Sequence, residues 1–364
     1  MGCYLIREPD YFRKFRCAGS ECKQSCCEKW ENLIWLNEEY EKLCSADLPS
    51  GMRENVKSAF IRIEIPEFDV PLWNLKLSGK KCPFLAENSL CSIQRKFGEE
   101  FLSNTCRFYP RVSVFNSGIL TRGCYASCPE IAKMLLDNEF ALEICTRQVQ
   151  VYENEIVFQS VLCEGEEDFR ENPALRFRNE LFGLFYDIFA DRKRTLEENM
   201  LLGAEIAKRI SEVEKAEGIP RAIDEQKKWF KKPDFIPENR CNSEKIAELF
   251  PKIFGENCAF YSKSCFTAKK TAESEKLFPK HFFRNFALNL LFELKMPFYF
   301  PDKSVYENYL YLYAVYSLAR LIVSASGAEG GVEFALEKLS AFDREILHDS
   351  DAAERILSVF PFGN

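Results

Sequence analysis

The chain has 364 residues, 46% of them apolar, with 33 phenylalanines, 14 tyrosines and a net charge of −7. That length points to more than one domain, and the acidic balance argues against a nucleic-acid binder, which carries a basic face. The start, MGCYLIREPDYFRKF, has charges where a secretory signal is apolar, Ile6 breaks the myristoylation pattern, and no run of eighteen apolar residues occurs, so the expectation is a cytoplasmic protein with no membrane or nucleic-acid partner.

In chain order, residues 1–130 alternate helical and turn signals. Short strands are expected at Arg62–Ile65 and near Val112–Phe115, and a short helix over Gly98–Thr105 running into Cys106. Residues 131–170 form a connector. Ile131–Leu142 has a helical apolar period, Gln148–Leu162 reads as a β-hairpin around Glu153-Asn154, and Gly165–Asp168 is an acidic loop. Asn172-Pro173 opens a helical region with helices expected over 174–191, 195–216, 221–231, 243–253, 279–294, 302–325, 331–345 and 351–359. Lys231–Pro237 is a loop. The predicted fold is mainly α: a cysteine-rich metal-binding lobe (1–130) on a larger helical body (171–364), with a small hairpin between them (131–170).

Cysteine usage is the main chemical clue. Eleven of the sixteen cysteines lie within residues 1–128, and the only histidines are His281 and His348. A chain without an export signal does not read as a disulfide scaffold, because the cytosol keeps thiols reduced. Cys17, Cys22, Cys26 and Cys27 fall within eleven residues around Gly19; Cys82, Cys91 and Cys106 follow, and then Cys124 and Cys128, the last before Pro129. Such density has no packing rationale, whereas scattered Cys3, Cys44, Cys145, Cys163, Cys241, Cys258 and Cys265 read as small core residues. Zinc and iron–sulfur clusters both accept four thiolates. Nine candidate ligands exceed one four-ligand site and the paired C-x2-C knuckles of zinc ribbons are absent, which favours an iron–sulfur centre, with zinc as the alternative.

The pattern Tyr11-x3-Phe15-x-Cys17-x4-Cys22-x3-Cys26-Cys27-x2-Trp30, then Cys82-Pro-Phe-Leu85, Cys91-Ser-Ile93, Gly98-Glu-Glu and Cys106-Arg-Phe-Tyr-Pro-Arg111, resembles the flagellin lysine-N-methylase family, within the zinc- or iron-chelating CxxCxxCC proteins. The resemblance covers residues 8–130 and continues loosely over Arg284–Phe298. It implies a cytoplasmic enzyme that methylates flagellin lysines with S-adenosylmethionine as donor and a cysteine-bound 4Fe-4S cluster; the nine cysteines from Cys17 to Cys128 carry over as cluster candidates. Two other readings stay open: a zinc- or iron-binding interaction module without catalysis, and an iron–sulfur redox protein.

Methyl transfer to lysine needs a neutral amine held in line with the donor methyl, which aromatic walls and desolvation favour. Tyr306, Tyr309, Tyr313 and Tyr316 share one helical face and are candidates for a lysine channel, against an ordinary core stripe. Asn285 and Asn289, with Glu293 a turn further, are candidates for binding a polar cofactor group, against interhelical hydrogen bonds. The glycines at 327, 330 and 331 follow a helix rather than a strand and read as a helix–helix loop, not a donor-binding turn. The radical pattern C-x3-C-x2-C fails because Lys29 stands where its third cysteine would be. His281 and His348 read as ordinary surface or helix-end residues.

Overall fold

The computed structural model describes residues 2–28, 33–64, 70–79, 81–151, 160–163, 173–218, 221, 224, 248–249, 252–254, 273–347 and 350–359. The expected helices 221–231 and 243–253 therefore fall largely outside the described residues, as do Cys241, Cys258, Cys265, His348 and the Lys231–Pro237 loop. The chain folds into two units: Met1–Phe15 with Val112–Asn364, and the segment Arg16–Arg111 inserted between them. The cysteine-rich unit is thus narrower than residues 1–130 and excludes Cys124 and Cys128.

The chain opens with strand β1 (Gly2–Pro9) and the short helix α1 (Asp10–Lys14) before entering the inserted unit. There it forms β2 (Ile34–Leu36), α2 (Asn37–Ser45), α3 (Ser50–Ala59), β3 (Phe60–Ile63), β4 (Leu72–Leu75), α4 (Ser92–Phe97) and α5 (Asn104–Phe108). The strands make an antiparallel sheet ordered β2-β4-β3, with β3 starting two residues before the expected Arg62. The core gathers Trp35, Leu43, Val56, Phe60, Leu75, Phe84 and Ile93. Trp35 meets Phe60 edge-on at 5.1 Å, and Tyr40 stacks on Trp73 at 3.8 Å; such pairs add to area burial.

The helix expected over Gly98–Thr105 is a correction. Gly98, at φ 93, ends α4, and Ser103 caps a new helix by accepting from the Cys106 backbone N–H at 3.2 Å. Gly98 ends α4 through its positive φ and leads into a 3-10 turn over Glu99–Phe101, so the expected single helix is split in two.

The chain returns to the first unit with β5 (Arg111–Asn116) and β6 (Ile119–Cys124), joined through Ser117 and Gly118, both at positive φ as a tight hairpin turn requires. Next come α6 (Pro129–Asp137), β7 (Ile144–Val151), β8 (Ser160–Cys163), α7 (Arg178–Ala190), α8 (Leu196–Glu217), α9 (Lys280–Glu293), α10 (Val305–Leu347) and α11 (Ser350–Val359). The sheet order is β7-β1-β6-β5-β8. The turn of the hairpin expected within Gln148–Leu162 lies outside the described residues, and its described flanks, β7 and β8, do not pair with each other. β7 pairs antiparallel with β1 over eight residues, β8 pairs parallel with β5, and the two lie on opposite edges of the sheet. Each strand satisfies its backbone on an open edge elsewhere, which local sequence does not encode.

The described helices of the second half follow the expected pattern. α8 starts at a capping box of Thr195 and Glu198. Arg178 opens α7 after a 3-10 turn over Pro173–Phe177, where the helix was expected from 174. The helices expected at 302–325 and 331–345 form one run, α10, interrupted at Gly331 with φ 79. By length and composition Val305–Ile346 is apolar enough to cross a membrane, but 83% of its apolar window is buried in the protein, as in a core helix. The fold is mainly α with small sheets.

Candidate functional site

Five of the expected thiols come together. Cys26, Cys27, Cys82, Cys91 and Cys106 line one cavity of about 80 Å³ in the inserted unit, walled otherwise mostly by apolar side chains such as Leu33, Trp35, Phe84 and Ile93. Four pieces of chain deliver them. The Cys82 N–H donates to the Cys27 carbonyl at 2.9 Å, which ties the first two pieces together. Cys91 caps α4, where a backbone bridge joins Leu85 to Cys91. Cys106 sits in the first turn of α5, positioned by Ser103. Cys26 is exposed, so the cavity reaches solvent on its side.

The electrostatics are those of sulfurs sharing too few protons. Hydrogen bonds from Cys26 and then Cys82 pull the Cys27 thiol far below its ordinary range, so Cys27 is the thiolate of the group. Donating to Cys27, together with burial, raises Cys26 and Cys82. Burial also raises Cys91 and pushes Cys106 up to about 12. Cys17 is exposed and lies within electrostatic reach of Cys26. Among the described residues no three His, Cys, Asp or Glu side chains already stand in a metal-holding arrangement. The donor set is nonetheless sulfur alone, which suits a soft metal or an iron–sulfur cluster. A bound metal would take the protons' place on these sulfurs.

Cys17, Cys22, Cys124 and Cys128 do not line this cavity. Cys124 and Cys128 belong to the other unit, both buried. Cys128 is the residue before α6, and Pro129 takes the first helical position, which its missing N–H suits. The Cys124 backbone is clamped: its N–H donates to the Tyr11 hydroxyl at 2.9 Å and its carbonyl accepts from Asn289 Nδ2 at 3.0 Å. Cys22 is half-buried, as are Cys44 and Cys145.

The residues considered for substrate and cofactor make packing contacts. Tyr309 is fully buried between Phe185 and Phe189, and its hydroxyl donates to the Met200 carbonyl at 2.6 Å. Tyr316 is also buried, while Tyr306 and Tyr313 are half-buried. Asn285 Nδ2 donates to the carbonyls of Leu135 and Asn138 at the end of α6, at 2.9 and 2.8 Å. His281 Nε2–H donates to the Leu136 carbonyl at 2.7 Å, a helix-end role. Asn289 donates to Glu293 Oε1 at 2.6 Å and accepts from Tyr11 at 2.5 Å.

Sequence reasoning missed the partner of Glu293. Glu293 and Asp343 are both fully buried and hydrogen-bonded through their carboxyls. Glu293 Oε2 lacks a donor unless one carboxyl of the pair is protonated, and Ser127 donates to Asp343 from its backbone and its side chain. Burial and then the charge of Asp343 drive Glu293 well above its ordinary range, and burial raises Asp343 as well. Arg344, which donates to the Ser127 carbonyl at 3.1 Å, balances the remaining charge. A second cavity in this unit, about 620 Å³, is lined by Glu143, Tyr186, Arg192, His281 and Arg284 among others. Its Arg284 is committed to the carbonyls of Asp191 and Arg194 at 2.8 and 3.1 Å.

No family model matches the chain, and no solved structure matches it. The lysine-N-methylases of Salmonella typhimurium and Salmonella choleraesuis are each 25% identical to it over 144 residues, 40% of this chain and 35% of theirs. The flagellar biosynthetic protein FliU of Salmonella muenchen is 26% identical over 139 residues, 38% of this chain and 81% of that protein. The chain therefore spans about a third of the length of the lysine-N-methylases it matches and most of FliU. At this distance, the chain is a remote relative of the lysine-N-methylase and FliU proteins.

Proposed function

We propose that this chain is a protein-lysine N-methyltransferase that modifies flagellin with S-adenosylmethionine as donor, and that thiolates of its inserted unit hold an iron–sulfur cluster. The remote relationship to proteins named lysine-N-methylase and flagellar FliU supports the methyltransferase reading. The observation that carries the cluster is the convergence of Cys26, Cys27, Cys82, Cys91 and Cys106 on one cavity. Four of the five sulfurs suffice for one cluster, and Cys27, held well below the ordinary thiol range by its neighbours, is the readiest ligand. Bound there, the cluster supplies one-electron chemistry and a tie between four pieces of chain. The methyl-transfer step needs a desolvated amine and a donor held in line.

The test has two parts. The anaerobic absorption spectrum, with iron, sulfide and zinc assayed on the same sample, is expected to show a broad visible band with iron and sulfide in matching amounts. Cys26→Ser and Cys106→Ser are expected to lower the iron content, and Cys124→Ser to leave it unchanged. Zinc without colour makes the centre a structural one, and full iron in both cavity variants refutes the ligand assignment. Metal-loaded protein, flagellin and S-adenosylmethionine are then incubated and the flagellin lysines examined by mass spectrometry; no methylated lysine refutes the enzyme reading.

A further inference from the structure

In the unit that carries the mixed sheet, two guanidinium groups lie over one aromatic ring, with a lysine within electrostatic reach. Arg178, the first residue of α7, is 0% exposed. Its Nη1 donates to the Thr121 hydroxyl at 3.1 Å, but Nε and Nη2 have no hydrogen-bond partner. Its guanidinium carbon lies 5.3 Å from the centre of the Phe182 ring, and that of Arg7, from β1, lies 5.3 Å from the same ring. Phe182 packs edge-on against Phe292 at 5.1 Å, and three residues further Lys295 takes a left-handed conformation at φ 49. Lys295 lies within electrostatic reach of Arg178, and no carboxylate among the described residues pairs with either.

This arrangement is unfavourable as it stands. An interior cation without a counter-charge is strongly disfavoured, and the face of Phe182 offsets only part of that. Burial first, and then Arg7, pushes Arg178 down to about 9, and burial with Arg178 lowers Lys295. Glu180 and Asp187 act on Arg7 and leave the other two without an acid. Arg7 and Lys295 are only half-buried.

We propose that the free N–H groups of Arg178 and the ammonium of Lys295 form a receptor for the oxyanion of a small molecule, a carboxylate or a phosphate. Two donors in the fixed fork of a guanidinium match the two oxygens of either group, and the lysine supplies the second charge. The chemistry is independent of the cysteine cavity and does not require the methyltransferase reading. A carboxylate-bearing methyl donor is one molecule it would accept.

The experiment uses the full chain and two probes, inorganic phosphate and S-adenosylhomocysteine, each against sodium chloride at equal ionic strength. Binding is followed by calorimetry and by the rise in melting temperature that any ligand of the folded state produces. The wild type is expected to bind at least one probe, with Arg178→Met and Lys295→Gln each weakening it about tenfold or more. Binding of phosphate alone assigns a phosphate receptor; binding of S-adenosylhomocysteine alone assigns a carboxylate receptor. Lys295→Gln keeps the test decisive if Arg178→Met fails to fold. Failure of both probes to bind the wild type, or binding unchanged in Lys295→Gln, overturns the proposal. S-adenosylhomocysteine binding that ignores Lys295 and Arg178 sinks this site while leaving the methyltransferase reading intact.

Discussion

At the scale of single residues, neighbours decide what each side chain is for. Cys27 and Cys106 are the same residue type in the same cavity, yet one is a thiolate and the other is pushed up to about 12. The difference lies in two thiol donors facing Cys27 against near-complete desolvation of Cys106. Tyr309 makes the converse point. A tyrosine at helical spacing fits a lysine channel by type, but its hydroxyl is used by Met200 and its ring by Phe185 and Phe189. Tyr309→Phe is expected to lower stability by about 1 kcal/mol, the net worth of one buried hydrogen bond, and to leave methyl transfer unchanged. Denaturant unfolding and the transfer assay measure the two effects separately, and loss of transfer at full stability would return Tyr309 to the site.

At the scale of elements, buried polar groups tie α9 and α10 to the loop between Cys124 and Cys128. Glu293 Oε1 accepts from the Ala126 N–H at 2.6 Å while its other oxygen depends on a proton shared with Asp343. Asn289, Ser127, Arg344, Tyr11 and Tyr299 face the pair. Both carboxyls are raised above their unfolded values. Their contribution to stability is therefore fully present below the ordinary carboxylate range and is lost as pH rises through the raised values. Each unit of elevation corresponds to about 1.4 kcal/mol. The melting temperature is expected to fall from pH 5 to pH 8 in the wild type and to flatten in Glu293→Gln, whose amide replaces the protonated acid. Equal slopes in both proteins would show that the pair holds no shared proton. Gly331 is the other element-scale determinant. At φ 79 and ψ −171, with nothing within 4 Å of where a Cβ would stand, its constraint is torsional and not steric. Gly331→Ala is expected to cost about 1–3 kcal/mol, read from thermal unfolding; a neutral result would mean that α10 tolerates a straight path there.

At the scale of the whole molecule, the two units rest on different cores. The unit Met1–Phe15 with Val112–Asn364 buries a large aromatic interior that includes Phe182, Phe185, Phe286 and Tyr309. The inserted unit has a smaller core, and its cysteine cavity adjoins Trp35, Phe84 and Ile93. Small cores often depend on a metal for stability. Stripping metal from the purified protein is expected to speed amide hydrogen exchange across β2, β4 and α5. Unchanged exchange there would show that the apolar core alone holds the inserted unit.

The sequence by itself determined the described helices of the second half and named the thiols that the fold then gathered at one cavity. Apolar periods of 3.6 residues, the Thr195–Glu198 box and the Pro129 helix start are local signals, and local geometry reads them directly. Thiol clustering near Cys26 was equally legible, because four cysteines within eleven residues have no packing role. Only the tertiary structure separated Cys124 and Cys128 from the other thiols, sent β7 and β8 to opposite edges of one sheet, and placed Glu293 against Asp343 and Arg178 without a counter-charge. Each of those outcomes depends on residues far apart in the chain: strand pairing satisfies backbone groups wherever an edge is open, and the state of a buried charge is set by whatever the fold brings beside it.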